Sequence, residues 1–416
     1  MNLFISLYHY LFAWLGSLVY GNPSLKIFVL GVTGTKGKST VLELINVILE
    51  SAGEKTALLS SVRIKIGSES RKNPTNNTMP GRFFIRRFLR DAVAAGCKYA
   101  LLEVTSQGVT QYRHKFIDFD AALFLNLHPE HIEAHGSFEK YRAAKVKFFA
   151  DVAAESQKPR KMFFVNQEDR NHGYFVDAIK KCGEVYYFGR DQFVATKLAK
   201  RRVSIGDWLA NDFNLENAAA AVRVTEILGV DWQIAKKALA EYKGLAGRIE
   251  TVQEKPFKVV VDYAHTPDSL ESVYGVLLKR QEARSKRQER LICILGSAGG
   301  GRDKWKRPRM GAIAASYCDR IILTNEDPYD ENPEEILRDI ESGFVKSSGL
   351  KHWALNKDYY KVLDRREAIK KAITLAKKGD TVIITGKGSE HWIHIENGKK
   401  IPWNEKTTVE EILLNK

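Results

Sequence analysis

Apolar and polar positions along this chain change period repeatedly. Short apolar runs at Ile27–Leu30, Tyr99–Val104, Ala121–Asn126, Lys161–Val165 and Val185–Phe188 read as buried strands. After the first of them, Val41, Leu44, Ile45 and Ile48 recur on one face of an amphipathic helix. The Ala-rich run Asn217 to Leu228 reads as a helix, and another begins near Asp231. Glycines at 244 and 247 mark a boundary. A second series of strands follows at Lys258–Val261, Leu291–Leu295, Arg320–Leu323 and Thr381–Thr385, again separated by helical stretches. Such alternation predicts parallel sheets with helices on both faces.

The segment 31–40, GVTGTKGKST, lies where the first strand gives way to the amphipathic helix. Glycines there let backbone amides approach a phosphate chain, and the helix N-terminus adds partial positive charge. Lys38 is placed to reach the terminal phosphates and Ser39 to ligate Mg²⁺. Position 32 is Val, so the spacing departs from the strict G-x4-G-K-[ST] pattern. Gly34, Thr35, Lys36, Gly37, Lys38, Ser39 and Thr40 are expected to hold ATP. The expected fold class is α/β: a central P-loop-type, mostly parallel sheet domain plus a C-terminal Rossmann-like α/β domain. The boundaries expected are an N-terminal apolar helix at 1–22, a central domain at 23–243 and a C-terminal domain at 244–416.

Composition narrows the class. The 416 residues suffice for two or three domains, and the formal net charge is +15. The basic residues are spread along the chain, without zinc-finger spacing, an aromatic RNA-binding signature or a basic helix, so nucleic acid is not the expected partner. An anionic substrate fits the charge equally well. Cys97, Cys182, Cys293 and Cys318 lie far apart and read as reduced thiols of a cytoplasmic protein. Residues 3–20 are apolar and aromatic but lack a basic leader and a cleavage site. They read as a helix packed on the following domain, with membrane-surface attachment as the alternative.

Other residues could carry chemistry. Glu103 ends a strand beside the phosphate loop, a position suited to Mg²⁺. His128, His131 and His135 with Glu130 and Glu133 crowd one stretch, but no H-E-x-x-H order completes a zinc set, and spacing alone leaves surface histidines open. Periodicity alone makes either Lys145 or Lys147 a solvated helix lysine. Asp262 ends a strand where it could accept from a ribose hydroxyl. Arg248 and Arg302 offer guanidinium forks for phosphate or carboxylate.

Taken in order, these motifs resemble the Mur ligase family, the ATP-dependent amide-forming enzymes of peptidoglycan precursor synthesis, from about Lys26 to Glu405. Residues 31–40 resemble the family's phosphate loop, including its departure from the strict pattern. Residues 102–108, LEVTSQG, resemble E-V-S-S-H-G, which implies Glu103 as a Mg²⁺ ligand with Ser39. Residues 126–136 resemble N-L-S-x-D-H-L-D-x-H-G, implying His131 as ligand of a second Mg²⁺. Residues 141–145, YRAAK, resemble Y-x-A-A-K, whose lysine is carbamylated, which implies the same of Lys145. Residues 213–217 resemble F-N-x-x-N, implying Asn214 and Asn217 near the adenine. Residues 247–250 resemble G-R-x-E, implying Arg248 on the ATP phosphates, and residues 262–270 a ribose-contacting segment that includes Asp262. Residues 77–80, NTMP, resemble N-T-T-P, so Asn77 and Thr78, with Thr105, Gln111 and Arg113, are implied muramyl-peptide contacts. Arg302, Gly386 and Glu390 fit the family's amino-acid pocket, and Glu326 and Asp327 occupy its specificity motif D-N-P-R.

The resemblance implies an amide ligase working through an acyl phosphate, with Lys38, Glu103, His131 and Lys145 catalytic and Ser39, Glu103, His131 and Lys145 at the metal. The partners implied are a muramyl-peptide-type substrate and a free amino acid, handled by a cytoplasmic monomer, with membrane-peripheral attachment through the N-terminal helix as the alternative. Two departures stand out. The loop begins after only thirty residues, from which absence of the family's uridine-nucleotide domain and a lipid-linked donor are expectations. Tyr329 replaces the Arg that binds the extra carboxylate of diaminopimelate, which counts against that amino acid, and the acids Glu326 and Asp327 favour a basic side chain such as lysine. Competing readings are a folylpolyglutamate-synthase-like ligase and a non-catalytic ATP-binding partner of a cell-wall complex.

Overall fold

The computed structural model describes residues 3–75, 77–130, 132–180, 182–198, 212–284, 289–347 and 353–415. The chain divides into two compact units, Met1–Glu130 with His135–Lys243, and His131–Ala134 with Gly244–Lys416.

The first unit opens with helix α1 (Leu3–Tyr20) and is built on eight strands: β1 (Phe28–Thr33), β2 (Thr56–Leu59), β3 (Arg63–Ile66), β4 (Glu69–Lys72), β5 (Tyr99–Glu103), β6 (Ala121–Phe124), β7 (Met162–Asn166) and β8 (Glu184–Phe188). Their order is β4-β3-β2-β5-β1-β6-β7-β8. Strands β2, β5, β1, β6, β7 and β8 run parallel, and β3 and β4 extend the β2 edge antiparallel. Side chains alternate across β1, so Leu30 and Val32 pack in one layer with Val41, Leu44, Ile45 and Ile48 of helix α2 (Lys38–Ser51). Each such burial contributes roughly 1.5–3 kcal/mol. Val29 packs in the opposite layer with Leu89 of helix α3 (Arg82–Ala94) and with Phe148. Both faces are covered, as a parallel sheet requires.

Gly31 has a role that its place in the loop motif hides. A Cβ there would stand 2.4 Å from Phe148 Cζ and 2.9 Å from Phe119 Cε1, so the missing side chain is room for two core rings.

The second unit holds β9 (Glu250–Gln253), β10 (Lys258–Val261), β11 (Leu291–Leu295), β12 (Arg320–Leu323), β13 (Tyr359–Lys361) and β14 (Thr381–Ile384), ordered β13-β12-β11-β14-β10-β9. All neighbours are parallel except β9 on β10. A hairpin of β15 (Trp392–His394) and β16 (Lys400–Pro402) follows.

The expectation of four reduced thiols is corrected in this unit. Cys293 on β11 and Cys318 just before β12 form a disulfide with Cα atoms 6.1 Å apart, while Cys97 and Cys182 are free. Parallel pairing of β11 with β12 brings the two together although 25 positions separate them, a proximity that spacing conceals. Among the described residues no helix is long and apolar enough to cross a membrane.

Candidate active site

In the first unit the turn after β1 is held open by its neighbours. Asn126, beyond β6, accepts from Lys36 N through Oδ1 at 2.9 Å and from Thr35 N through its carbonyl at 2.9 Å. Thr35 Oγ1 meets Tyr141 Oη at 3.0 Å and takes the His128 amide at 3.0 Å. Gly37 has φ +83°, a left-handed conformation in which a Cβ would stand 2.3 Å from Asn217 Oδ1. Helix α2 starts at the next residue, so its first amides point into the turn. Lys38 Nζ donates to the carbonyls of Gly34 and Thr35, both at 3.0 Å.

The oxygen ligands expected for a hard cation lie beside this turn. Register pairs Val32 with Glu103 on β5, and Ser39 Oγ donates to Glu103 Oε1 at 2.6 Å. Glu103 Oε2 accepts from Ser61 N at 2.6 Å, and Ser39 and Glu103 are both buried. A buried hydroxyl and carboxylate beside a phosphate turn fit Mg²⁺, which takes few protein oxygens and completes its shell with phosphate and water. Lys145 is 2% exposed and donates to Gly34 O at 2.8 Å. Burial, with the charge of Lys38 nearby, pushes its amine well below the ordinary lysine value, against a weaker opposite pull from Glu130. Lys147 points outward and pairs with Asp151 at 2.9 Å, the solvated fate that periodicity allows for either lysine. His131 lies outside the described residues, among which no group of three His, Cys, Asp or Glu gathers as a metal cluster. His135 instead meets Ser106 Oγ at 3.1 Å. Asn217 is buried against the turn, and Asn214 lies half-buried one helical turn earlier.

Asn77, Thr105, Gln111 and Arg113 come together on one side of this unit, with Thr78 half-buried beside Asn77. Arg113 Nη1 donates to Asn77 Oδ1 at 3.0 Å and to the Met79 carbonyl. Thr105 caps the short helix Ser106–Thr110 through Gly108 N at 3.1 Å. Arg82 on α3 donates to the Gln111 carbonyl, and Arg86 to those of Arg82 and Lys115. Sequence reading missed this arginine pair. Its signal was four arginines in nine residues, 82–90, which look like a solvated face. Burial first and the charge of Arg82 second bring the Arg86 guanidinium down to about 10.

In the second unit, Asp262 is buried and accepts from Ile249 N and Ala264 N, both at 2.7 Å. Its carboxylate therefore fixes the strand end as well as standing where a ribose was expected. Arg248 lies 4.2 Å over the Tyr263 ring. Gly247, at φ +68°, would drive a Cβ to 2.3 Å from Ser389 N. The expected amino-acid pocket centres on a cation that sequence reading did not single out. Lys387 is fully buried and donates to Asp327 Oδ1 at 2.8 Å and to Glu390 Oε2 at 2.6 Å. Tyr263 donates to Glu390 Oε1 at 2.9 Å, and His394 N to Asp327 Oδ1 at 2.8 Å. Glu326 is buried with Oε2 unpartnered, 2.6 Å from where a Gly386 Cβ would stand. Tyr329 stacks on His394, and Arg302 lies 5.8 Å over the Tyr329 ring. Arg365, bonded to Glu405 and to the carbonyls of Asn325 and Thr385, ties the loops after β12 and β14.

Residues 32–225 match the description Mur ligase middle domain, and residues 247–388 match Mur ligase, glutamate ligase domain. This is an ATP-dependent acid–amino-acid ligase. The chain belongs to the Mur ligase family, whose members work with ATP and generally Mg²⁺. It is 36% identical over 388 residues to UDP-N-acetylmuramoyl-L-alanyl-D-glutamate--2,6-diaminopimelate ligase of Halalkalibacterium halodurans, covering 89% of this chain and 75% of the relative. It is 33% identical over 415 residues to UDP-N-acetylmuramyl-tripeptide synthetase of a Roseiflexus species, covering 94% and 79%. A solved diaminopimelate ligase of the same description as the first relative superposes with TM-score 0.57 at 25% identity, covering 94% of this chain and 78% of its own. Mycobacterium tuberculosis folylpolyglutamate synthase, at 14% identity, covers 90% and 91% with TM-score 0.66 and shares the fold.

Proposed function

We propose that this chain joins a free amino acid to the carboxylate of a muramyl-peptide-type substrate in peptidoglycan precursor synthesis. The observation that carries the reading is the buried Ser39–Glu103 pair, 2.6 Å apart beside an amide-lined phosphate turn. Amides of the turn and Lys38 bind the terminal phosphates while the γ-phosphoryl passes to the substrate carboxylate, releasing ADP. Ser39 and Glu103 would hold one Mg²⁺ and His131 a second, which when bound would neutralise phosphate charge. Asn77, Thr78, Thr105, Gln111 and Arg113 orient the muramyl peptide. Attack of the amino acid's amine on the acyl phosphate then expels phosphate and leaves the amide.

Lys145 is read as the carbamylated lysine. Carbamylation needs an uncharged amine, which forms an N–C bond to carbon dioxide and loses a proton, and burial of Lys145 favours that uncharged state. The product is a carboxylate-like group beside Gly34. In the second unit Arg302, Gly386 and Glu390 are read as amino-acid contacts. The unpartnered Glu326 oxygen supports an incoming side chain that brings a cation, such as lysine. The chain is read as acting as a monomer.

The test crosses UDP-linked and lipid-linked muramyl dipeptides with a panel of amino acids and reads phosphate release. Release that requires both partners, strongest with lysine, is expected. ATP binding without turnover in every combination would overturn the ligase reading, and turnover only with a pteroyl-glutamate acceptor would move it to the folyl branch.

A further inference from the structure

Helix α1 is built inside out. From Leu3 to Tyr20 it carries no charged residue, yet its bulky side chains face away from the protein. Phe4 is 80% exposed, Leu18 59% and Leu7 53%, and Leu11, Trp14 and Leu15 are each more than two-fifths exposed. These recur at helical spacing and form one stripe. The face turned inward is centred on small residues, with Ala13 and Ser17 buried and Gly16 against the Arg86 side chain, and the rings of Tyr10, Phe12 and Tyr20 pack at its margins. A helix kept only to cover the core would show the reverse pattern. A contiguous apolar stripe of this kind marks an interaction surface.

Charge beside the stripe says what it meets. Helix α3, on which α1 packs through Phe83 against Phe12 and Tyr20, carries four arginines and one aspartate in thirteen residues. Arg87 and Arg90 keep 67% and 52% of their side chains exposed; both pair with the single Asp91, so the helix keeps a net positive charge, and Arg90 lies 5.2 Å over the Tyr20 ring. Trp14 and Tyr8, both exposed, are residues favoured where apolar and aqueous phases meet. An uncharged apolar stripe flanked by arginines fits a membrane surface with anionic headgroups, in whose plane the helix would lie.

We propose that α1 docks this protein on an anionic lipid bilayer. A flank of the helix packs beside the proposed muramyl-peptide residues. Tyr10 packs against Tyr112 at 5.6 Å and Phe116 at 5.2 Å, on either side of Arg113. Docking thus brings the Asn77–Arg113 face close to the lipid surface, where a donor anchored in that bilayer presents its carboxylate. This last consequence rests on the ligase reading; the docking does not.

The experiment is co-sedimentation of the full chain with vesicles of phosphatidylcholine alone or mixed with phosphatidylglycerol. Binding to the mixed vesicles, weakened by high salt, is expected. Leu11→Glu with Leu15→Glu should lower the bound fraction by about ten-fold or more, since two buried apolar contacts become charges. Phosphate release with a soluble UDP-linked substrate should stay unchanged in that variant. The proposal is overturned if the wild-type chain remains in the supernatant, if neutral vesicles bind it equally well, or if light scattering shows a lipid-free dimer that the variant dissociates. Normal vesicle binding without turnover would instead sink the ligase reading alone.

Discussion

Replacing Lys387 with Met keeps most of its volume and removes the one ammonium shared by Asp327 and Glu390. The lysine is fully buried, Asp327 is 5% exposed at its side chain, and the ion-pair distances are 2.8 and 2.6 Å. Breaking a buried pair from one side costs about 3–5 kcal/mol, because the remaining charge is left uncompensated, and the 36% exposure of the Glu390 side chain lets water relieve part of that cost. Tyr263 and His394 N still donate to the two carboxylates, which favours the lower end of that range. At roughly 2–4 °C per kcal/mol, melting of the second unit should fall by on the order of 10 °C. The pH dependence gives a sharper signature. In the wild type, burial pushes Glu390 up, but the Lys387 charge and hydrogen bond outweigh it and hold the carboxyl below its ordinary value. Its contribution to stability is therefore present above the unfolded value of about 4.3 and is lost as pH falls through the folded one. Without the lysine the largest opposing influence is gone, so burial moves Glu390 upward while Tyr263 and His265 still favour its charged form, and the variant's deficit shrinks as pH falls through the carboxyl's new value. Adding Glu390→Gln should restore about half of the loss, with a coupling energy measurable by a double-mutant cycle. Thermal melts of the four proteins at several pH values read all of this. A Lys387→Met melt within about 3 °C of wild type and indifferent to pH would refute the reasoning.

Two further predictions concern the first unit. Lys145→Ala should abolish ligation with bicarbonate unable to restore it; full phosphate release from that variant would remove the carbamate assignment. Gly31→Ala should destabilise the unit by about 1–3 kcal/mol through overpacking on Phe119 and Phe148 while leaving nucleotide affinity per folded molecule unchanged. Denaturant melts alongside nucleotide titration decide it, and a variant as stable as wild type would contradict the close approach.

Most of the parallel strands were legible because they are continuous apolar runs flanked by helical periodicity. The edges were not. Strand β4 reads Glu-Ser-Arg-Lys and is exposed at every position, so only pairing with β3 makes it a strand. The phosphate turn, Glu103 and the Tyr141–Lys145 segment could be read from sequence since each motif is local. Lys387 went unremarked between Gly386 and Glu390, because its importance comes from Asp327 sixty positions away. Arg365 and Glu405 had no sequence signal at all: their partners are a loop carbonyl and each other across 40 positions. The inward small face of α1 was equally hidden, since apolarity alone does not reveal which side of a helix touches protein.

Lys38 bonds two carbonyls of its own turn. Those bonds brace the turn from within, so one side chain carries both its shape and its charge. On the proposed reading, phosphate would compete with the chain for one ammonium. Affinity would then be the margin between two sets of oxygens, and Lys38→Ala would loosen the turn as well as weaken the grip. Asn126, which braces the same turn from outside the motif, becomes the position at which shape and charge can be separated experimentally.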